Sequence, residues 1–168
     1  EIMKVKQINS KCISLIIKTI ILVVVLAIAL LIVIPIHRMT GNEMSPFVRD
    51  GDLCIFYGPG SAYLNDVVLY DGEDGHRHVG RIVARGGQTV TVNEQGGYTV
   101  DDYEQTEEIP YVTKAAEEGI QYPITLKEDE YFILNDFRTL TTDSRETGAV
   151  KRSKIKGRLI FLFRRRNF

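Results

Sequence analysis

Cysteine is scarce in this chain of 168 residues: there are two, Cys12 and Cys54. One falls in a long apolar run and the other in a short apolar strand pattern beyond it. They lie on opposite sides of the boundary where the run ends, so a disulfide between them is not expected. That excludes a disulfide framework, and whatever follows the run must be held by its own core. About 130 residues suffice for that. An excess of positive charge is missing as well. The chain carries 21 Lys and Arg against 22 Asp and Glu. Four of the cations, Lys4, Lys6, Lys11 and Lys18, precede or open the apolar run, so the remainder is mildly acidic, which argues against nucleic acid as a partner. No internal repeat or low-complexity tract occurs, and the length allows one modest domain. Asp71, Glu73, Asp74, His76 and His78 crowd one stretch, but their spacing matches no zinc pattern. They read as a polar hairpin turn around Gly72 and Gly75, and neither a metal nor another cofactor is expected.

The most conspicuous feature present is Thr19 to Ile36, eighteen residues without a charge. As a helix this run spans about 27 Å, close to a hydrocarbon core. Cys12 to Ile17 is also apolar, so the helix can begin near residue 11, with Lys18 snorkelling toward headgroups. A cleavable signal peptide has a shorter apolar core and ends at small residues; Pro35-Ile36-His37-Arg38 offers none. The expected organisation is a short cytoplasmic tail over 1–10, a membrane span over 11–36 and an external domain over 37–168. The orientation follows from the basic residues on the N-terminal flank, where only Arg38 closely follows the span. The expected location is thus the cell membrane, crossed once, with the N-terminus cytoplasmic.

The external domain reads as short strands divided by turns. Leu53–Tyr57, Asp66–Tyr70, Val79–Ala84, Thr89–Val92, Tyr98–Val100, Tyr131–Leu134 and Leu159–Phe163 are apolar or alternating runs, most of them bounded by Gly, Pro or Asp. Asn93-Glu94-Gln95-Gly96-Gly97 suits a hairpin loop. Only Thr113–Glu118 has a helical look. The fold class is mainly β, with many short antiparallel strands behind one N-terminal helix. Residues 101–128 form an acidic, tyrosine-bearing excursion, either a solvated connection or a binding edge. The segment Phe161-Leu162-Phe163-Arg164-Arg165-Arg166 reads as a final strand with a solubilising tail, or as a membrane-facing patch.

Four segments resemble, in order and spacing, the sequence boxes of type I signal peptidases. Glu43-Met44-Ser45-Pro46 resembles the nucleophile box Ser-Met-x-Pro, with Glu43 at the serine position and Gly41 where some members supply a further hydroxyl. Asp66-Val67-Val68 resembles Gly-Asp-Ile-Val. Gly80-Arg81-Ile82-Val83 resembles the box that opens with the general-base lysine, with Gly80 at the lysine position. Asn135-Asp136-Phe137-Arg138-Thr139-Leu140-Thr141-Thr142-Asp143-Ser144-Arg145 resembles Gly-Asp-Asn-Arg-x-x-Ser-x-Asp-Ser-Arg, with Thr141 at the serine that supports the lysine. The resemblance implies the signal-peptidase β-fold, an ion pair between Asp143 and Arg145, and a groove that takes an extended peptide by β-augmentation. Gly41, Met44, Ser45, Pro46, Arg81, Thr141, Asp143, Ser144 and Arg145 are the residues expected to shape and support that groove.

A serine–lysine dyad works because a desolvated, neutral lysine takes the hydroxyl proton. Gly80 has no side chain to do this, and a Glu43 carboxylate attacking an amide would give a strained, reversible anhydride. Losing such a nucleophile or base costs on the order of 10⁶ in rate, so no catalytic residue is expected. Ser45, His78 as a base, and a Glu43–Asp143 carboxylate pair are the conceivable rescues. The resemblance therefore implies a non-catalytic, SipA-type signal peptidase-like protein of Gram-positive pilus loci. Its implied partners are a pilin precursor or its signal or sorting segment, a sortase, and the membrane. The competing expectation is an active signal peptidase with a non-standard catalytic pair.

Overall fold

The computed structural model describes residues 2–93 and 95–164, in two compact units that divide after Ile34. The first is helix α1, Ile2–Val33. Its last backbone bond runs from Ile34 N to Leu30 O (2.8 Å). Pro35 ends it, since proline disfavours helical backbone at the residue before it and has no N–H to donate. The apolar stretch Lys11–Val33 is exposed along its length. At a rise of roughly 1.5 Å per residue it is about 35 Å long, enough to span a bilayer. The helix ends at Val33, and Ile36–Arg38 pairs as a strand.

The second unit is built of antiparallel strands: β1 (Ile36–Arg38), β2 (Leu53–Tyr57), β3 (Val67–Asp71), β4 (Arg77–Arg85), β5 (Thr89–Val92), β6 (Tyr98–Val100), β7 (Tyr103–Glu104), β8 (Ile124–Thr125), β9 (Glu130–Leu134), β10 (Val150–Lys151) and β11 (Ile155–Phe163). One sheet has the order β1-β2-β11-β3-β4-β9-β10 and the other β7-β6-β5-β8. Strand β3 lies near the centre of the larger sheet. Its Val67, Val68, Leu69 and Tyr70 are all buried, which is why it reads as a continuous apolar run rather than an alternating one. Val67 and Leu69 join Met39, Met44, Val48, Cys54, Phe56 and Val79 on one face. Val68 and Tyr70 join Ile82, Tyr131 and Ile133 on the other. A register shift in β4 between Ile82 and Ala84 lets Val83 and Ala84 enter a third cluster with Phe132 of β9, Val90 and Tyr98 of the smaller sheet, and Leu126 just after β8. Cys54 is buried and unpaired, and burial pushes its thiol up to about 11, with Asp52 adding to the shift. It is an inert core side chain.

The mainly β fold read from the sequence is the fold observed, and the long strand patterns fall where expected. The helix expected over Thr113–Glu118 does not form. Its carbonyls are taken up elsewhere: Thr113 O accepts from Gly97 N (2.8 Å) and Lys114 O from Arg145 Nη1 (2.9 Å). A segment whose backbone acceptors serve distant donors cannot close its own i→i+4 ladder. The helix present instead is α2, Ser144–Thr147, whose first turn is capped by the Asp143 carboxylate. The excursion over 101–128 is also more ordered than a solvated loop. Asp101 and Asp102, both at positive φ, turn β6 into β7, and β8 returns the chain to β5. Of the C-terminal patch, Phe161 and Phe163 are exposed with ring centroids 6.4 Å apart. Arg164 turns back onto Phe47 O (2.7 Å) and Asp52 (3.3 Å), and Arg165 and Arg166 lie outside the described residues.

Candidate functional site

The segment Gly41–Phe47 is a run of turns and not an extended strand. Ser45 N donates to Asn42 O (2.9 Å) and Val48 N to Met44 O (2.8 Å), while Gly41 N donates to Asp50 Oδ1 (3.0 Å). Met44 and Val48 are fully buried and pin the turn to the core. Glycine is required at 41 for two reasons. Its φ is +90°, and a Cβ there would sit 2.6 Å from either carboxylate oxygen of Glu43. The Glu43 side chain thus folds back over Gly41, and its Oε2 is buried without a hydrogen-bond partner. An orphaned carboxylate oxygen is unfavourable unless a donor fills the site.

Glu43 lines a cavity of about 530 Å³ with His37, His76, His78, Asn135 and Thr142. These are all three histidines of the chain. A second cavity, of about 230 Å³, is also lined by Asp74, His78 and Thr142. His78 is oriented by Asp74, whose two oxygens stand 3.0 and 3.1 Å from Nε2. The His78 hydrogen bond, aided by the His76 backbone N–H, holds the Asp74 carboxyl below its usual range. Burial, then the nearby Arg77 charge, lowers His37 below its ordinary 6.5. Between that value and 6.5 the unfolded chain takes up a proton more readily than the folded one. The His37 contribution to stability is therefore complete above 6.5 and declines as pH falls through the window. His37→Gln should flatten that part of the pH dependence, read by urea unfolding in detergent between about pH 7.5 and 5; an unchanged profile would show that the proton is taken up elsewhere.

Gly80, on β4 opposite Val68, is not among the residues that line either cavity. A Cβ added there would lie 2.5 Å from Ile133 Cγ2, 3.4 Å from Leu134 O and 3.5 Å from Tyr70 Cε1. The volume that a longer side chain would occupy is filled by core atoms. Arg81 alternates to the other face. Its Nε and Nη2 grip Asp136 (2.8 and 2.6 Å), Nη1 donates to Asn65 O (2.9 Å), and its guanidinium stands 5.1 Å from the Phe47 ring centroid.

The loop Asn135–Thr142 joins these parts. Phe137 N donates to Glu43 O (2.8 Å), which fixes the loop against the Gly41–Phe47 turn. Asp143 and Arg145, both fully buried, form a bidentate pair at 2.9 and 2.7 Å. Ser144 Oγ accepts from Ile133 N (3.0 Å). Arg138 is also fully buried, held by Glu107 of the excursion at 2.6 and 2.7 Å. Thr141 lines a different hollow, shared with Tyr111 and Arg138, and it is Thr142 that reaches the Glu43 cavity. Pro46 lines a further hollow with Arg81 and Glu107, and Ser45 lines neither cavity that His78 shares. The sequence reading passed over His37, Asn135 and Thr142 as lining residues. Alternation along β1 was the one available signal for His37; the other two depend on a loop path that no local pattern encodes.

The cavity of Glu43 offers carboxylates, imidazoles, an amide, hydroxyls and the Arg77 guanidinium, and among the described residues no lysine lines it. Lys154, which lines the smaller one, is bound to Glu73 at 3.1 Å. A curated relative, signal peptidase I from Bacillus licheniformis, is 26% identical over 163 residues, covering 88% of this chain and 86% of its own. A crystal structure of a signal peptidase I from Enterococcus faecalis is similar at 22% identity and a TM-score of 0.49, covering 60% of this chain and 98% of the other. The family profile of signal peptidase, peptidase S26, matches residues 12–164. With a match that runs from the apolar helix to the end of β11, the chain belongs to that signal peptidase family.

Proposed function

We propose that this protein is a non-catalytic member of the family, anchored by α1 with its N-terminus cytoplasmic, that holds an extended precursor segment without cutting it. The observation that carries the reading is the pair of altered positions. Glu43 stands where the nucleophile belongs, and the space beside Gly80, where the base belongs, is packed with Ile133 and Tyr70. Without nucleophile and base, a groove of this family binds and does not hydrolyse. Among non-catalytic relatives the reading closest to these residues is the SipA type. The partner is then a pilin precursor, or its signal or sorting segment, and the role is chaperone-like, in sortase-dependent pilus assembly.

The unpartnered Glu43 oxygen gives the groove a preference for a peptide that brings an ammonium or guanidinium group. A charge-assisted hydrogen bond is worth about 1.5–3 kcal/mol. Glu43→Ala should therefore weaken binding of lysine-bearing precursor peptides about tenfold or more, and leave small apolar peptides unaffected. Equal affinities across such a panel, measured by titration calorimetry, would remove Glu43 from recognition. The wider reading is tested by incubating the full-length protein in neutral detergent with membrane precursors from its own cell envelope, and reading masses. The expected result is intact precursor that co-purifies.

A cut at a signal-peptide site would establish the second reading, an active signal peptidase with a non-standard catalytic pair. What favours that reading is the name of the curated relative, signal peptidase I, together with an Asp74-oriented His78 in the Glu43 cavity.

A further inference from the structure

At the far end of β11 the chain builds a cavity that the peptide-binding reading does not use. Strand β11 passes β2 so closely at Gly157 that a Cβ there would meet Tyr57 C and O at 2.8 Å and Gly58 N at 3.1 Å. Only glycine allows that approach, and it sets Arg158 directly opposite Tyr57. The turn Gly58-Pro59-Gly60-Ser61 folds over the same place. The result is a hollow of about 430 Å³ whose polar lining is Arg152, Arg158, Tyr57, Ser61, Tyr131 and Ser153. Among the described residues no carboxylate lines it.

The contrast within one short segment is informative. Lys154 and Lys156 have acidic partners, Glu73 at 3.1 Å and Asp71 at 2.7 Å. Arg152 and Arg158, which line the hollow, have no carboxylate partner among the described residues. Arg152 Nη2 reaches only the Ser61 hydroxyl (3.3 Å), and Arg158 lies 5.8 Å from the Tyr63 ring centroid. Two guanidinium forks facing one concavity repel each other, and an anion between them removes that cost. Four hydroxyls complete a donor set for an anion that offers several oxygens at once.

We propose that this hollow is a binding site for a phosphate group, carried by a lipid headgroup or by a soluble phosphate compound. The two arginines supply the charge-assisted bonds, and the Tyr57, Ser61, Tyr131 and Ser153 hydroxyls orient the remaining oxygens. None of these residues lines the Glu43 cavity, so the site stands whether or not the groove binds a precursor.

The test titrates full-length protein in neutral detergent with inorganic phosphate, against chloride at matched ionic strength. Saturable binding with one site is expected. Arg152→Gln with Arg158→Gln should weaken it about tenfold or more, while Lys154→Gln with Lys156→Gln leaves it unchanged. Ser153→Asp is an exposed substitution that sets a carboxylate in the hollow and should abolish binding without touching the core. Glycerophosphoglycerol, a phospholipid headgroup without its acyl chains, separates the two sources. Competition with phosphate identifies a headgroup site, and phosphate binding without competition identifies a soluble phosphate monoester. No binding beyond chloride, or binding that survives both the arginine and the Ser153→Asp changes, overturns the proposal.

Discussion

Asp143→Ala lowers the stability of the β domain by about 3–5 kcal/mol, because it strands a buried guanidinium. Both side chains of the Asp143–Arg145 pair are fully shielded from water. The Asp143 carboxylate accepts from Arg145 Nε and Nη2, from Arg145 N (3.0 Å) and from Asn135 N (2.9 Å). Arg145 in turn donates to the carbonyls of Arg138 (2.8 Å), Lys114 and Leu140. One pair therefore fixes the end of β9, the start of α2, the Asn135–Thr142 loop and the excursion. Removing Asp143 leaves the arginine charge with carbonyl dipoles alone, and also leaves Asn135 N without its acceptor. Asp143→Asn keeps an acceptor and should lose less. The measurement is thermal and urea unfolding of the protein in neutral detergent, followed by tyrosine signals in near-ultraviolet circular dichroism. A fall in Tm of roughly 10–20 °C is expected for the alanine variant of a domain this size. A change below about 1 kcal/mol would mean that water reaches the pair, since exposed ion pairs are worth no more than that.

The same pair marks what could and could not be read from the sequence. Its two residues stand in the Asp-Ser-Arg of the last box, so the resemblance implied that they would meet. The strands were legible for a simple reason. β3 and β9 are buried on both faces and so appear as unbroken apolar runs, and β5 alternates strictly. Strands β1, β7, β8 and β10 have two or three residues each, too few for any period to register. They exist because a neighbour offers unpaired backbone groups, which is a tertiary cause. The helix within the excursion was misread for a related reason. Thr113–Glu118 has helix-forming residues, but its carbonyls answer to Gly97 and Arg145, far away in sequence.

The resemblance set Glu43 and Gly80 at the nucleophile and base positions, yet only one consequence followed from the residue types. A carboxylate at 43 and an absent side chain at 80 argue against the dyad. That Ile133 occupies the space beside Gly80 was hidden, because β-branched residues are expected throughout a buried strand. Likewise the gathering of His37, His76 and His78 in one cavity depends on β1 and β4 meeting the Asn135–Thr142 loop, which no spacing reveals.

Restoring the dyad by Glu43→Ser with Gly80→Lys is expected to leave the protein without protease activity. The obstacle is volume. The first side-chain atom of a residue at 80 would already lie 2.5 Å from Ile133 Cγ2, and Ile133 is fully buried. Forcing a lysine stem into that cluster costs about 1–3 kcal/mol in strain and denies the ammonium a settled position beside the new serine. Adding Ile133→Ala removes the clashing methyl group. Alone, that change should destabilise by about 2–5 kcal/mol; combined with Gly80→Lys it should cost less than the two effects added, with a coupling of about 1 kcal/mol or more. The remaining neighbours, Val68, Tyr70 and Ile82, are largely apolar, and an apolar surround keeps a lysine neutral enough to take a proton from serine. Cleavage of a precursor after a small residue should then appear in the triple variant and not in the double one, read by mass against the natural protein. Activity in the double variant would show that Ile133 yields without help. Additive stabilities in the cycle would show that the two side chains never compete for the same space.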